Sequence, residues 1–295
     1  MGAGAVGCYY GAMLALSGHA VTLIGRRNHV DAVNLNGLVL EKQGRQISIP
    51  MRASVEADAV QHAELILFCV KSTDTETAAQ AIKPHLSPDA VILSLQNGVD
   101  NAERLQAVLQ QHAVIPAVVY VAAEMAGAGH VRHHGRGELI LGTSPWSSRI
   151  AGLFTEADVP TKVADDVSGA LWTKLILNCA YNALSAISQR PYGQLVERTE
   201  IKTVIKDVVQ ECLAVAQKAE QLIPGDIWGS VEQIVETMPT QYSSTAQDLA
   251  RGKPSEIDYL NGYIVRRGHE LGVATPVNRV LHALVKLMET GRHST

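Results

Sequence analysis

Aromatic side chains are scarce: Phe, Trp and Tyr together make up 4% of the 295 residues. Packing surfaces must then be built from small aliphatic side chains, which suit helices lying close on a sheet. Cysteine is also sparse, at four residues (Cys8, Cys69, Cys179, Cys212), and none forms a C-x-x-C pair. A disulfide framework or thiolate metal site is not expected, and the four read as reduced, buried thiols of a cytoplasmic protein. Charged residues account for 18%, the formal net charge is −4 and the pI is about 6.3. No long basic stripe appears, which argues against nucleic acid as the main partner, because phosphate contacts need clustered Lys and Arg. Long apolar runs are missing too. The longest, Val114 to Ala123, is interrupted by Pro116 and is too short to span a bilayer, so no membrane is expected as a partner. No secretory leader is expected ahead of the first glycine motif.

What is present is a chain long enough for two domains, with 46% hydrophobic residues. In the first half, short apolar runs alternate with helical stretches. Ala20–Ile24, Leu65–Cys69, Val91–Leu95 and Val118–Val121 read as strands; Thr75–Ile82 and Asn101–Gln110 read as helices. Continuous apolar strands in a βαβα order predict an α/β fold with a Rossmann-like, doubly wound parallel sheet covered on both faces. Gly37–Pro50 reads as an inserted hairpin turning at Gln43-Gly44, and His130–Gly142 as another, turning near Gly135 and Gly137. From about Asp166 the apolar spacing becomes helical, over 170–187, 201–222, 227–236, 257–271 and 277–288. Residues 1–165 are expected to form the nucleotide-binding domain and 166–295 an all-helical substrate domain, with the boundary between Pro145 and Asp166.

Gly2-Ala3-Gly4-Ala5-Val6-Gly7 fits G-x-G-x-x-G. The first glycine permits a tight turn, the second lets backbone approach a diphosphate, and the third lets the following helix pack closely. Amides at that helix's N-terminus would face the diphosphate. A glycine motif alone often only turns the chain, but here a helix and then a strand follow. Such a fold needs about five or six strand residues before the turn. Either the numbering begins inside the natural protein or another segment supplies that strand; a shortened N-terminus is the expectation. At the end of the next strand stands Gly25-Arg26-Arg27, where readers of NAD place an acid. Guanidinium groups suit a 2′-phosphate and point to NADP, with Arg26 first and Arg27 in support; the alternative is a solvated basic turn.

Lys174, Asn178 and Asn182 recur at i, i+4 and i+8 in an apolar stretch, and so share one helix face. A buried lysine needs a partner or a task. Two amides on its stripe could orient an oxygen-rich ligand; equally, the lysine could snorkel to solvent and the amides bond to backbone. Glu256 and Asp258, after Ser255, fit the first turn of a capped helix, and Glu256 could instead partner Lys174 or orient a ligand. Lys71 and Asn97 follow apolar strands, at the edge where open α/β sheets bind ligands. His130, His133 and His134 fit a solvated hairpin better than a metal site, since neighbouring strand residues face opposite ways.

GAGAVG, Cys69-Val70-Lys71, Gln96-Asn97-Gly98-Val99, Leu171-Trp172-xx-Lys174-xxx-Asn178-xxx-Asn182, Ser243-Ser244 and Glu256-Ile257-Asp258-Tyr259-Leu260-Asn261-Gly262 occur in that order. Together they resemble the 2-dehydropantoate 2-reductase (ketopantoate reductase) family over nearly the whole chain. The resemblance implies NADPH-dependent reduction of 2-dehydropantoate to (R)-pantoate, on the route to pantothenate and coenzyme A. It implies Lys174 as general acid, with Glu256 positioning substrate or lysine. Asn178, Asn182 and Ser244 would bind substrate, Asn97 and Lys71 would sit where nicotinamide and substrate meet, and no metal is needed. The cofactor-binding set is then Gly2, Gly4, Ala5, Val6, Gly7, Arg26, Lys71 and Asn97. Gln241 stands where the family often has Asn, and Thr245 where Met is frequent, which leaves the particular 2-oxo acid open. Two alternatives remain: an NADP-dependent reductase of another 2-oxo acid, and a non-catalytic NADP-binding sensor that would not need Lys174 and Glu256. The helical half could also supply a homodimer surface.

Overall fold

The computed structural model describes residues 1–290. The chain divides into two compact units, Met1–Val167 and Ser168–Thr295.

The first unit opens with α1 (Ala5–Leu16), β1 (Thr22–Ile24), α2 (Arg27–Asn36), a hairpin of β2 (Leu38–Lys42) and β3 (Arg45–Ile49), and β4 (Arg52–Ser54). There follow β5 (Leu65–Phe68), α3 (Thr75–Ile82), β6 (Val91–Ser94), α4 (Asn101–Val108), β7 (Ala113–Gly127), β8 (His130–Gly142), α5 (Ser147–Glu156) and β9 (Thr161–Ala164). Strands β5, β6 and β7 run parallel in the register Leu65↔Val91↔Ala113. The sheet continues β7-β8-β2-β3, and β9 adds parallel to β8; β1 pairs with β4 as a separate parallel ribbon. Between β1 and β5 lies the N-terminal tripeptide. The Gly2 and Ala3 amides donate to the Ile24 carbonyl, the Met1 amine donates to the Leu67 carbonyl, and the Cys69 amide donates to the Met1 carbonyl. These bonds bring the glycine motif to the carboxyl ends of β1 and β5.

Strand β6 explains the unbroken apolar runs. Val91, Leu93 and Leu95 pack with Tyr10, Met13, Ile150 and Phe154 of α1 and α5, while Ile92 packs with Ala79, Ile82 and Leu105 of α3 and α4. Both faces of the strand are covered, so both side-chain parities are apolar. Helix α1 is apolar all round for the same reason, being buried continuously from Gly7 to Leu14.

The first expected hairpin forms as read: Gln43 and Gly44 both take positive φ, at 53° and 74°, the two-residue turn whose twist matches the flanking strands. The second does not. His130–Gly142 is one strand, antiparallel to β7, and the chain reverses at Ala128-Gly129 instead. Gly137 is an extra residue where the register slips between Tyr120 and Val121. A Cβ there would stand 2.6 Å from the Tyr9 hydroxyl, so this glycine serves a bulge and a close helix approach rather than a turn.

The second unit is helical: α6 (Val167–Ser188), which begins at the division, α7 (Tyr192–Leu195), α8 (Thr199–Lys218), α9 (Ile227–Thr237), α10 (Ser244–Ala250), α11 (Asn261–Leu271) and α12 (Pro276–Thr290). Its buried polar scaffold is made of amides. Asn261 donates to the Cys179 carbonyl and to Asn278 Oδ1, and Asn278 donates to Glu211, whose carboxylate also accepts the Val277 and Asn278 amides at the start of α12. Among the described residues no helix is long and apolar enough to cross a membrane.

Candidate active site

The three motif glycines have different physical causes. Gly2 sits at φ +91°, and a Cβ on it would lie 2.5 Å from the Val70 amide nitrogen. A Cβ on Gly7 would lie 2.4 Å from the Gly2 carbonyl. Both are required by the protein's own packing. Gly4 is not: a Cβ there would meet nothing within 4 Å. It stands at the N-cap of α1, ahead of the Ala5, Val6 and Gly7 amides, which lie in the first turn, where no intrahelical acceptor exists. Open space in front of unspent amides fits a diphosphate, and the residues present therefore fit a dinucleotide.

Arg26 is the N-cap of α2 and Arg27 its first residue, and both are exposed. The Gly25 position abuts Ala3, where an added Cβ would come within 2.7 Å of the alanine methyl, so the arginines start beside the glycine motif. One turn into α2, buried His29 bridges this region inward. Its Nδ1 accepts the Gly129 amide at 2.9 Å and its Nε2 lies 3.3 Å from Cys8 Sγ. That tautomer gives Nε2 the hydrogen, so the imidazole donates to sulfur and does not activate it. Burial pushes the Cys8 thiol up to about 12 and that of Cys69 to about 11, which keeps both protonated at neutral pH.

Half-buried Lys71 and Asn97 follow β5 and β6, which are adjacent and parallel. The loops that carry them are joined by a polar network that sequence reasoning missed. Gln96 Nε2 donates to the Val70 carbonyl and to Thr75 Oγ1. Ser72 Oγ and Asn101 Nδ2 both donate to the Asn97 carbonyl. Arg104 holds Glu76 with two bonds of 2.6 Å and donates to the Ser72 carbonyl. Arginine holds the Glu76 carboxyl below the usual carboxylate range. Only the Gln96-Asn97 dipeptide gave any signal; Asn101 and Arg104 look like ordinary polar positions of a helix start.

In the second unit, α6 carries half-buried Lys174 and Asn178 and buried Asn182 on one face. Asn182 Oδ1 accepts from Tyr192 Oη at 3.4 Å, and its carbonyl accepts from Ser243 Oγ at 3.1 Å. Ser243 is the buried N-cap of α10, accepting the Ala246 amide, whereas Ser244 is exposed. The serine pair thus splits: one residue caps and anchors, and its neighbour faces outward.

Glu256 is half-buried and precedes a short 3-10 turn, 257–259. The residues on either side of it are clamped to α12. Ser255 donates to Glu289 through both its amide and its hydroxyl, at 2.8 and 2.7 Å. Asp258 binds His282 at 2.6 Å and Lys286 at 2.9 Å, and Lys286 reaches Glu289 at 2.7 Å. Gly262 makes room for this arrangement, since a Cβ there would stand 2.9 Å from His282 Nε2. The same segment packs on α6 through the Asn261 bond to the Cys179 carbonyl and an edge-on contact of Tyr263 with Trp172, two positions that bracket Lys174 and Asn178 in sequence. The three histidines of β8 go to separate partners: His130 to Glu41, His134 to Glu124, and His133 stacked on Tyr9.

Two sequence models of one family cover most of the chain. Ketopantoate reductase PanE/ApbA matches residues 1–146, and the ketopantoate reductase PanE/ApbA C-terminal model matches 166–289. The chain belongs to the ketopantoate reductase PanE/ApbA family. The 2-dehydropantoate 2-reductase of Vibrio cholerae is 33% identical over 300 residues, covering 98% of this chain and 96% of that protein. The crystal structure of a PanE/ApbA family ketopantoate reductase from Ralstonia eutropha JMP134 is 57% identical with a TM-score of 0.96, over 99% of this chain and 98% of that one. A D-mandelate dehydrogenase solved with NADH and anilino(oxo)acetate superposes with a TM-score of 0.92 at 26% identity, over 98% and 97% of the two chains. As a member of this family the chain is a pyridine-nucleotide-dependent oxidoreductase. The bonds of Asn261 and the close packing of Gly262 give the ketopantoate reductase signature around Glu256 a scaffold role.

Proposed function

We propose that this chain reduces 2-dehydropantoate to (R)-pantoate with NADPH, a step toward pantothenate and coenzyme A. NADPH, when bound, supplies the hydride for the substrate's carbonyl carbon. Lys174 gives its ammonium proton to the carbonyl oxygen and, before that, polarises the carbonyl. Asn178, Asn182 and Ser244 hold the hydroxyl and carboxylate oxygens of the acid, and Glu256 positions the lysine or the substrate. Gly2, Gly4 and the amides of Ala5, Val6 and Gly7 receive the diphosphate, and Arg26 the 2′-phosphate. Lys71 and Asn97 hold the reacting end. The observation that carries this reading is the polar face of α6. Lys174, Asn178 and Asn182 share one stripe of a largely apolar helix, in a chain most of whose length matches a reductase family.

One observation favours a second reading, reduction of another 2-oxo acid. Thr245 is almost fully buried, and among the described residues its hydroxyl has no hydrogen-bond partner. It lies one residue beyond Ser244, where a different acid could claim it. The test is oxidation of NADPH followed by absorbance, with 2-dehydropantoate, phenylglyoxylate and smaller 2-oxo acids, for the unaltered protein and Arg26→Ala. Strong preference for 2-dehydropantoate is expected; preference for another acid establishes the second reading. Arg26→Ala should raise the KM for NADPH roughly 10- to 100-fold and leave that for NADH almost unchanged, as loss of a charge-assisted bond implies. Equal effects on both cofactors would remove Arg26 from 2′-phosphate binding.

A further inference from the structure

Asn101 opens α4 and is 3% exposed. Its Nδ2 donates to the Asn97 carbonyl at 2.6 Å and to Ser72 Oγ at 3.1 Å. Its Oδ1 accepts from Arg104 Nη1 at 3.1 Å and from Thr75 Oγ1 at 3.2 Å. A carbonyl can only accept and a guanidinium can only donate, so the amide has one permitted orientation. All four of its bonds are made, two of them to the residue after Lys71 and to Asn97 itself. Arg104 fixes the amide from behind and is in turn fixed by Glu76.

We infer that Asn101 is a positioning residue for the reaction: it sets the spacing of the loops after β5 and β6, and so places Lys71 and Asn97 against their ligands. This rests on the roles proposed above for those two residues. Asn101→Asp is the sharp test. The aspartate keeps an acceptor for Arg104 and Thr75 but sets a carboxylate oxygen against the Asn97 carbonyl, where a donor stood. The loop must move away, and displacement of a reacting group by about 1 Å costs up to about 100-fold in rate.

The experiment is steady-state turnover of 2-dehydropantoate with NADPH, together with NADPH binding by fluorescence, for the unaltered protein, Asn101→Asp, Asn97→Ala and the double variant. Asn101→Asp should lower kcat about 10- to 100-fold while NADPH affinity, held mainly at the glycine motif and Arg26, changes little. The double variant should lose less than the product of the two single losses, because Asn101 acts largely through Asn97. Unchanged kcat in Asn101→Asp, or losses that multiply in full, would overturn the positioning role. Should Asn101→Asp not fold, Arg104→Lys takes its place, because it loosens the same amide from behind; it should show a smaller kcat loss of the same kind, and none would overturn the inference. Lack of turnover by the unaltered protein would refute the proposed reaction itself and is read separately from the variants.

Discussion

The glycine motif of the first unit and the α6 face of the second are built from opposite materials. Around Gly2, Gly4 and Gly7 what matters is backbone and the absence of side chains: two glycines let the turn close, and the third leaves room outside it. On α6 what matters is side chains, Lys174 and two amides, raised on a helix whose opposite face, with Trp172, Ile176 and Ala180, is buried. A site made of missing Cβ atoms can fail by folding badly or by binding badly, and the two failures fall at different residues. A site made of side chains can lose its chemistry and keep its fold. The contrast is open to measurement.

The largest effect should come from Lys174→Ala. Removing a positioned general acid costs about 10²- to 10⁴-fold in kcat. NADPH binding should persist, because no atom of the glycine turn is touched. Turnover equal to that of the unaltered protein would take the lysine out of the mechanism, and loss of NADPH binding alongside turnover would break the division of labour between the two units.

Next come the glycines. Gly7→Ala forces a Cβ to within 2.4 Å of the Gly2 carbonyl, a backbone atom that cannot swing aside. Overpacking of this kind costs about 1–3 kcal/mol or more, so a lower Tm is expected even without ligand. Gly4→Ala meets open space, so its apo Tm should stay close to that of the unaltered protein while NADPH affinity falls. Equal Tm losses in the two variants would show that Gly4 is held by the fold and not by a ligand.

These residues also show how far the sequence could be read. Periodicity found α6 and its stripe because spacing along one helix is local information. It found the β2–β3 hairpin because Gln43-Gly44 is a local turn. It misreads Gly135 and Gly137 as a turn: Gly135 is a paired strand residue opposite Ala122, and Gly137 is a bulge, decided by Tyr9 more than a hundred residues away in the chain. Helix α5 and strand β9 fall in the stretch that reads as a boundary. The Asn101 network was invisible for a related reason: its partners lie 26 and 29 residues off at Thr75 and Ser72, and single polar residues at helix starts are read as caps. Ser243 and Ser244 could not be told apart, because capping is decided by a backbone angle and not by residue type.

The smallest effect concerns the clamp beside Glu256. Burial works against the Asp258 charge, but His282 and Lys286 together hold its carboxyl below the ordinary value of 3.8. The unfolded chain therefore takes up this proton at higher pH than the folded one does. The clamp's contribution is complete above pH 3.8 and is lost as pH falls through the lower, folded value. Asp258 is about one-third exposed, so solvent screens the pair and its worth is in the range of roughly 0.2–1 kcal/mol. Asp258→Asn should lower Tm by a degree or so at neutral pH, about what such a pair supplies, and by less in acid, where the carboxylate would already be protonated. The curve of Tm against pH should thus be shallower on its acid side. Because Asp258 grips the turn that presents Glu256, kcat should fall with Tm at neutral pH; a variant that lost stability and kept full turnover would show that Glu256 needs no clamp, and that the helical unit, like the glycine turn, separates the groups that hold the fold from those that meet the ligand.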